Sequence, residues 1–292
     1  MALNLFTLQS RGHGKSVSDN QEKYDVDFSI LGQTGLLPLW GRYWWHQNDA
    51  FNFQDPFAVK IVEQTNYDFK PIDQHIGGYG IALWGHRSFR LDAIAREHLE
   101  NRPQGIVVNL GVGLDDPYQR IDNGQATIID CDFPDTLNFR EKFLPESSRR
   151  LVFKGSFFDM QWLDAIKQAG ETTAQICLAG VTMYLKKDQM QELLTTVCKQ
   201  LPGAKIAFDC LSPRGIRFLN SGMRRSPLPQ EEVHWGLEGV QQLREWVGDG
   251  HNIRISSMFE GLTKSEFSWK TRMDIFGAEA VKLAQFVEIT PH

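Results

Sequence analysis

Cysteine is scarce: the 292 residues hold four, at positions 131, 177, 198 and 210, and no two form a CxxC pair. A disulfide framework and the usual zinc spacings are excluded on that count. No apolar run approaches the roughly 20 residues that a membrane-spanning helix needs. Residues 1–15 lack the apolar stretch and cleavage site of an export signal. Basic charge is not in excess, with 31 Lys and Arg against 36 Asp and Glu for a net −5. Arg149-Arg150 and Arg224-Arg225 are isolated pairs, so no nucleic-acid partner is expected. No His, Asp or Glu spacing marks a metal site. Gly12-His13-Gly14-Lys15-Ser16 ends like a phosphate loop, but Gln9 stands where that loop needs glycine. The expectation is a soluble cytoplasmic protein with reduced thiols and no membrane partner. Its oligomeric state is left open.

What is present is ordinary globular usage, 41% hydrophobic and 23% charged, in a chain long enough for one large domain or two small ones. The first hundred residues read as a helical cap. TGLLPLWGRYWWHQ (34–47) predicts a buried helix despite Pro38, and Asp55-Pro56 is a strong helix start before FAVKIVEQ. Leu91, Ile94, Ala95 and Leu99 recur at helical intervals within 84–99. From residue 105 short apolar runs (GIVVNLG, ATIIDCD, RLVFKGS, AQICLAG, AKIAFDC) alternate with PDTLNFREKF, MQWLDAIKQA and KDQMQELLTTVCKQL. That alternation predicts βαβ units and a mostly parallel sheet over 101–292. A breaker-rich stretch, about 212–235, interrupts it as a lid-like insertion. A helix near 237–247 and strands near 253–259 and 283–289 complete the layout.

VVNLGVGLDD (107–116) is the most informative decapeptide. An apolar strand runs into Gly111-x-Gly113, where glycines allow unusual dihedrals and close approach of a ligand. Asp130 and Asp132 lie 19 and 21 residues beyond Gly111, at the end of the next apolar run. A carboxylate at that spacing holds a ribose diol; Asp132 equally suits capping the helix that starts at Pro134. A dinucleotide fingerprint would place a third glycine at 116, but Asp115 and Asp116 stand there. Two carboxylates beside a pyrophosphate are electrostatically costly. A cofactor with ribose, positive charge and no phosphate fits better, and S-adenosylmethionine is one.

With these motifs in view, the chain resembles the leucine carboxyl methyltransferase family, in particular its bacterial polyketide-type O-methyltransferases. TGLLPLWGR and DPFAVKIVEQTNYDF resemble the family's N-terminal helices, and Arg87-Ser88 with Asp92 its RT-x-x-x-D helix. VVNLGVGLD, IDCDFPDTLNFREKFLP, GSFFDMQWL, GVTMYL and KIAFDCLSP are similar to its later motifs in the same order. The resemblance implies a Rossmann-like class I methyltransferase sheet with a reversed last strand. It implies that Arg87 pairs with the methionine carboxylate, and that Gly111 and Gly113 line methionine and ribose. Asp132, with Asp130 beside it, would hold the ribose; Ser156 and Phe157 would meet the adenine and Ala179 the sulfonium end. Two departures stand out: Ala179 where the family usually has Glu, and Asp116-Pro117 where it tends to have Thr-Arg.

The activity so implied is O-methylation of a carboxyl or hydroxyl group on a small-molecule acceptor. Methylation of a protein C-terminal carboxylate and a catalytically silent cofactor-binding module are the alternatives, and a dehydrogenase ranks last for want of the third glycine. No catalytic base is expected for a carboxylate acceptor. Tyr184, His46 and His234 are the candidates were the acceptor an alcohol or phenol. Trp40 and Tyr43, which share a helix face, are expected to wall the acceptor pocket together with Tyr184.

Overall fold

A computed structural model of the chain describes residues 23–27, 33–48, 52–224 and 231–292. The glycine-lysine motif at 12–16 lies outside them. Seven strands form one sheet: β1 (Ile106–Leu110), β2 (Thr127–Asp132), β3 (Arg150–Lys154), β4 (Gln175–Leu178), β5 (Lys205–Leu211), β6 (His251–Ser257) and β7 (Ala284–Pro291). Their order is β3-β2-β1-β4-β5-β7-β6, with β1 to β5 parallel and β7 antiparallel to both neighbours. This is the expected Rossmann-like class I methyltransferase arrangement, reversed strand included. β1 and β4 are buried at every residue, which is why they read as continuous apolar runs. The edge strand β6 alternates between part-buried and exposed positions. Cys131, Cys177 and Cys210 are buried on β2, β4 and β5, and Cys198 is half-buried; none is disulfide-bonded.

The cap comprises α1 (Leu36–Gln47), α2 (Pro56–Gln64), α3 (Lys70–His75) and α4 (Gly78–Asn101). Asp55 starts α2 as its sequence suggests, accepting the Ala58 amide at 2.9 Å with Pro56 in the first helical position. α4 begins about six residues earlier than the periodicity predicts. Its first turn is glycine-rich, and Gly78 admits Thr271 where a Cβ would collide with it. The core helices are α5 (Pro117–Ile121), α6 (Pro134–Glu141), α7 (Gln161–Gln168), α8 (Lys187–Gln200), α9 (Pro213–Met223), α10 (Val240–Val247) and α11 (Trp269–Ala280). No helix among the described residues is long and apolar enough to cross a membrane.

The breaker-rich stretch is more ordered than its composition suggests. Ser212 caps α9 by accepting the Gly215 amide at 3.2 Å, with Pro213 in the first helical position. Beyond residues 225–230, which lie outside the described residues, the chain returns as a strap. The His234 amide donates to the Met183 carbonyl and the Leu237 amide to the Leu211 carbonyl, both at 2.7 Å. Val233, Trp235 and Leu237 are buried beneath it.

Three apolar clusters follow from this layout. One face of the sheet packs on α7, α8 and α10 through Trp162, Leu193 and Leu243. The other packs on α4 and α11 through Leu91, Ala95 and Ile275. The third is the cap's own core, where Leu36, Leu39, Phe57, Ile61 and Ile72 meet Phe139 and Phe143 of the α6 region.

Candidate cofactor site

The C-terminal ends of parallel strands are where open α/β sheets bind ligands, and the sequence motifs converge there. The loop after β1 turns on Gly111 at φ +71° and Gly113 at φ +58°. The two glycines serve different ends. A Cβ on Gly111 would collide with Val181, so that glycine admits a neighbouring loop; a Cβ on Gly113 would meet open space. The Gly113 amide donates to Asp132 Oδ2 at 2.6 Å, and the Phe133 amide donates to Oδ1 at 2.7 Å. Asp132 therefore does not cap α6, whose N-cap position is Phe133. Burial pushes its carboxyl up, opposed by those two amides.

Asp130, expected beside it, is removed from any ribose. It is 0% exposed and lies one pleat deeper, accepting Asn109 Nδ2 at 2.8 Å and Arg140 Nη2 at 2.7 Å. The premise that Asp115 and Asp116 face the ligand also needs correcting. Both are buried among arginines: Asp115 lies 2.7 Å from Arg120 and 3.3 Å from Arg42, and Asp116 lies 2.8 Å from Arg150 and 3.5 Å from Arg140. Burial alone would raise both carboxyls. Arg120 and Arg42 overcome it at Asp115 and hold that group well below the carboxylate range. At Asp116 burial wins and pushes the carboxyl up to about 6.

Arg87, on α4, reaches over the ends of β4 and β5. Its Nη1 donates to Asp209 Oδ2 at 3.2 Å, and its guanidinium lies so close over Gly180 that a Cβ there would collide with it. The Gly180 amide donates to Asp209 Oδ1 at 2.6 Å, and Thr182 Oγ1 donates to the Asp209 carbonyl at 2.6 Å. The buried Nε of Arg87 has no hydrogen-bond partner among the described residues. An N–H in that state costs free energy until an acceptor arrives. A cofactor carboxylate fits it, as a ribose diol fits the lone pairs left on Asp132. Ala179 and Gly111 border a cavity of about 20 Å³ with Ser88, Asp92 and Asn109, room for one water.

Ser156 and Phe157 follow β3, beside the end of β2. Ser156 Oγ accepts the Phe158 amide at 3.2 Å, and Phe157 packs on Phe158 with centroids 4.8 Å apart. This fixes the turn next to Asp132, whose partner across the β2–β3 ladder is Lys154.

The fold does not bring the three acceptor-pocket residues together. Trp40 stacks between Tyr43, at 5.0 Å, and Phe69, at 5.3 Å, in the cap's own core. Tyr184 packs instead with the α4 face, near Arg87, and takes a hydrogen bond from Thr34; burial raises its hydroxyl pKa. His46 is committed to the cap, its Nδ1 accepting the Asp55 amide at 3.1 Å. His234 is exposed on the strap beside Met183.

The pattern of the leucine carboxyl methyltransferase family matches residues 38–198, from α1 through α8. The chain belongs to the leucine carboxyl methyltransferase family. Among relatives of this family member, the tetracenomycin polyketide synthesis O-methyltransferase TcmP of Streptomyces glaucescens is 28% identical over 165 residues. That match takes in 56% of this chain and 60% of TcmP, less than two thirds of its length. A Thermobifida fusca protein described as a candidate methyltransferase shares the fold with a TM-score of 0.59 at 13% identity, over 94% of this chain and 96% of its own. A DUF574 family protein of Streptomyces avermitilis follows at 0.51 and 11%, over 77% and 92%.

Asp209 is the site residue that the sequence reading of this family member passed over. Its signal was an acid inside the apolar run KIAFDC, the same kind of signal that singled out Asp130 and Asp132.

Proposed function

We propose that this protein is an S-adenosylmethionine-dependent O-methyltransferase acting on a carboxyl or hydroxyl oxygen of a small-molecule acceptor. The observation that carries the reading is the pairing of Asp132, anchored to the Gly113 amide, with Arg87, whose buried Nε lacks an acceptor, on one edge of one sheet. Asp132 would hold the ribose and Arg87 the methionine carboxylate. The bound cofactor supplies a methyl already activated on a sulfonium. The protein's part is then to align the acceptor oxygen and exclude water. Alignment of this kind is worth on the order of 7–11 kcal/mol for well-placed reactants.

A carboxylate acceptor is ionised at neutral pH, with a reference pKa near ~4, and needs no base. The structure is in keeping with that chemistry. His46 is engaged by the Asp55 amide, and Tyr184 has its pKa raised by burial, which makes its anion scarce at neutral pH. Tyr184, beside Arg87, is suited to orienting an acceptor oxygen by hydrogen bonding. Calorimetry with S-adenosylmethionine and with NAD tests the cofactor. Incubation with a metabolite extract, reading S-adenosylhomocysteine, tests the reaction. Tight binding without turnover on any carboxylate or hydroxyl acceptor would leave a silent module.

A further inference from the structure

Asp209 sits near the end of β5, and its neighbours in the strand fix where it points. Ala207 and Leu211 face the α4 side of the sheet, and Phe208 and Cys210 face the other. Alternation therefore puts the Asp209 side chain under α4, facing Arg87. Both side chains are only 6% exposed. A buried ion pair is weak support for a fold, because desolvating two charges offsets their attraction. This one also leaves hydrogen-bonding capacity unused. Among the described residues Asp209 Oδ1 takes the Gly180 amide and Oδ2 takes Arg87 Nη1, whereas a carboxylate has room for about four donors. On the same guanidinium, the buried Nε has no acceptor.

The pair selects the charge of what can join it. A lone carboxylate at Arg87 would add negative charge beside Asp209, and a lone ammonium at Asp209 would add positive charge beside Arg87. A group that carries both leaves the net charge unchanged and gives each side chain a further partner. No other carboxylate at this edge is open to such a cation. Asp115 and Asp116 each meet two arginines, and Asp130 is sealed under Arg140. Asp132 ends β2, three strands away from β5, and Ala179, after β4, offers only a methyl group. We infer that Asp209 is the acceptor for the α-ammonium of the cofactor's methionine, so that Arg87 and Asp209 clamp the zwitterion as a unit. The inference rests on the proposed S-adenosylmethionine reading. Arg87 keeps Nη1 on Asp209 and offers Nε to the carboxylate. Asp209 offers the ammonium the lone pairs that Gly180 and Arg87 leave free. Two charged contacts to one carbon fix its orientation, as a single contact does not, and with it the direction of the chain that leads to the sulfonium.

Calorimetry tests this with S-adenosylhomocysteine and two analogues of it, one lacking the amine and one lacking the carboxylate. Each is titrated into the wild type and into Asp209→Asn, with the melting curve as the check on folding. The wild type is expected to bind the amine-free analogue at least about tenfold more weakly than S-adenosylhomocysteine. Asp209→Asn is expected to lose at least about tenfold for S-adenosylhomocysteine and for the carboxylate-free analogue, and far less for the amine-free one. A loss that falls on the amine-free analogue and spares the carboxylate-free one would show that Asp209 acts only by holding Arg87, and would overturn the inference. So would equal losses on all three ligands. If the variant does not fold, the wild-type series decides alone. An amine-free analogue bound as tightly as S-adenosylhomocysteine overturns the inference and leaves the cofactor reading in place. A wild type that binds neither S-adenosylhomocysteine nor S-adenosylmethionine overturns both.

Discussion

Arg42, in the first cap helix, and Asp115, two residues beyond the glycine loop, sit 3.3 Å apart, both buried. The same guanidinium donates to Asp55 at 2.8 Å and to the Leu114 carbonyl at 2.6 Å, so one side chain binds the cap to the cofactor loop. Arg120 doubles the tie by reaching Asp55, Asp92 and Asp115.

Removing one partner from such a network strands a buried charge. Arg42→Met is expected to cost roughly 3–5 kcal/mol of stability, read by denaturant unfolding. It should also lower S-adenosylmethionine affinity, because Leu114 and Asp115 would be released. A full stability loss with unchanged affinity in the folded fraction would show that the loop holds its shape without the cap.

Asp132→Ala removes the proposed ribose acceptor. Hydrogen bonds to a charged group are worth about 1.5–3 kcal/mol, so calorimetry should show at least about tenfold weaker cofactor binding. Unchanged affinity would remove Asp132 from the site, and Asp130 could not replace it, being sealed under Arg140.

Arg87→Lys keeps the charge but loses the guanidinium fork, so weaker binding and slower turnover are expected, with Arg87→Ala worse in both. Asp209→Asn probes the other half of the pair: it should misplace Arg87 and loosen Gly180. Normal kinetics in both Arg87 variants would put the cofactor carboxylate elsewhere.

The two loop glycines should separate folding from binding. Gly111→Ala drives a methyl into Val181 and is expected to destabilise the fold. Gly113→Ala adds its methyl to open space, so stability should fall by only about 1–2 kcal/mol for the left-handed backbone, while cofactor affinity falls with it. Equal effects on both readouts at both positions would contradict the assignment.

Three buried groups contribute to the pH dependence between about pH 4 and 6.5. Burial pushes His86 and His98 down to about 4, from an ordinary value of 6.5. The unfolded chain therefore binds more protons than the folded one between pH 6.5 and 4, and stability is lost as pH falls through that window. Asp116 has the opposite sign. With its carboxyl raised to about 6, its contribution favours folding at low pH and is lost as pH rises from about 4 to 6. Denaturation midpoints against pH should fall off less steeply in His98→Gln and more steeply in Asp116→Asn. Identical slopes in all three proteins would refute this.

Much of the fold was legible because parallel strands buried on both faces must be mostly apolar, as Ile106–Val108 of β1, Ile128 and Ile129 of β2 and Ile176–Leu178 of β4 are. The glycine loop and Asp132 were legible from spacing alone. α11 was not, because apolar residues on two faces erase the single-stripe pattern by which helices are recognised. α9 was hidden by Pro213 and Gly215, which read as breakers but sit at a helix start. At the site, sequence distance gave no hint that Asp130, Asp115 and Asp116 would turn to Arg140, Arg120 and Arg150. Those contacts depend on α5, α6 and the start of β3 meeting beneath the loop. Trp40 and Tyr43 shared a face as expected, but that face met Phe69 and the cap core.

The burial of the cysteines gives this protein an internal clock. Burial lifts the Cys177 thiol to about 12 and pushes Cys131 and Cys210 well above the ordinary thiol value too, and only the thiolate attacks alkylating reagents. Cys177, on β4, is covered by α4 through Leu91 and Ala95, whereas Cys131 and Cys210, on β2 and β5, lie on the opposite face, which α7, α8 and α10 cover. The cap, residues 36–101, contains no cysteine. Motions that lift α4 alone expose Cys177 and leave Cys131 and Cys210 silent, so the relative labelling of these thiols in the native protein tells opening on the cap side from opening on the other face.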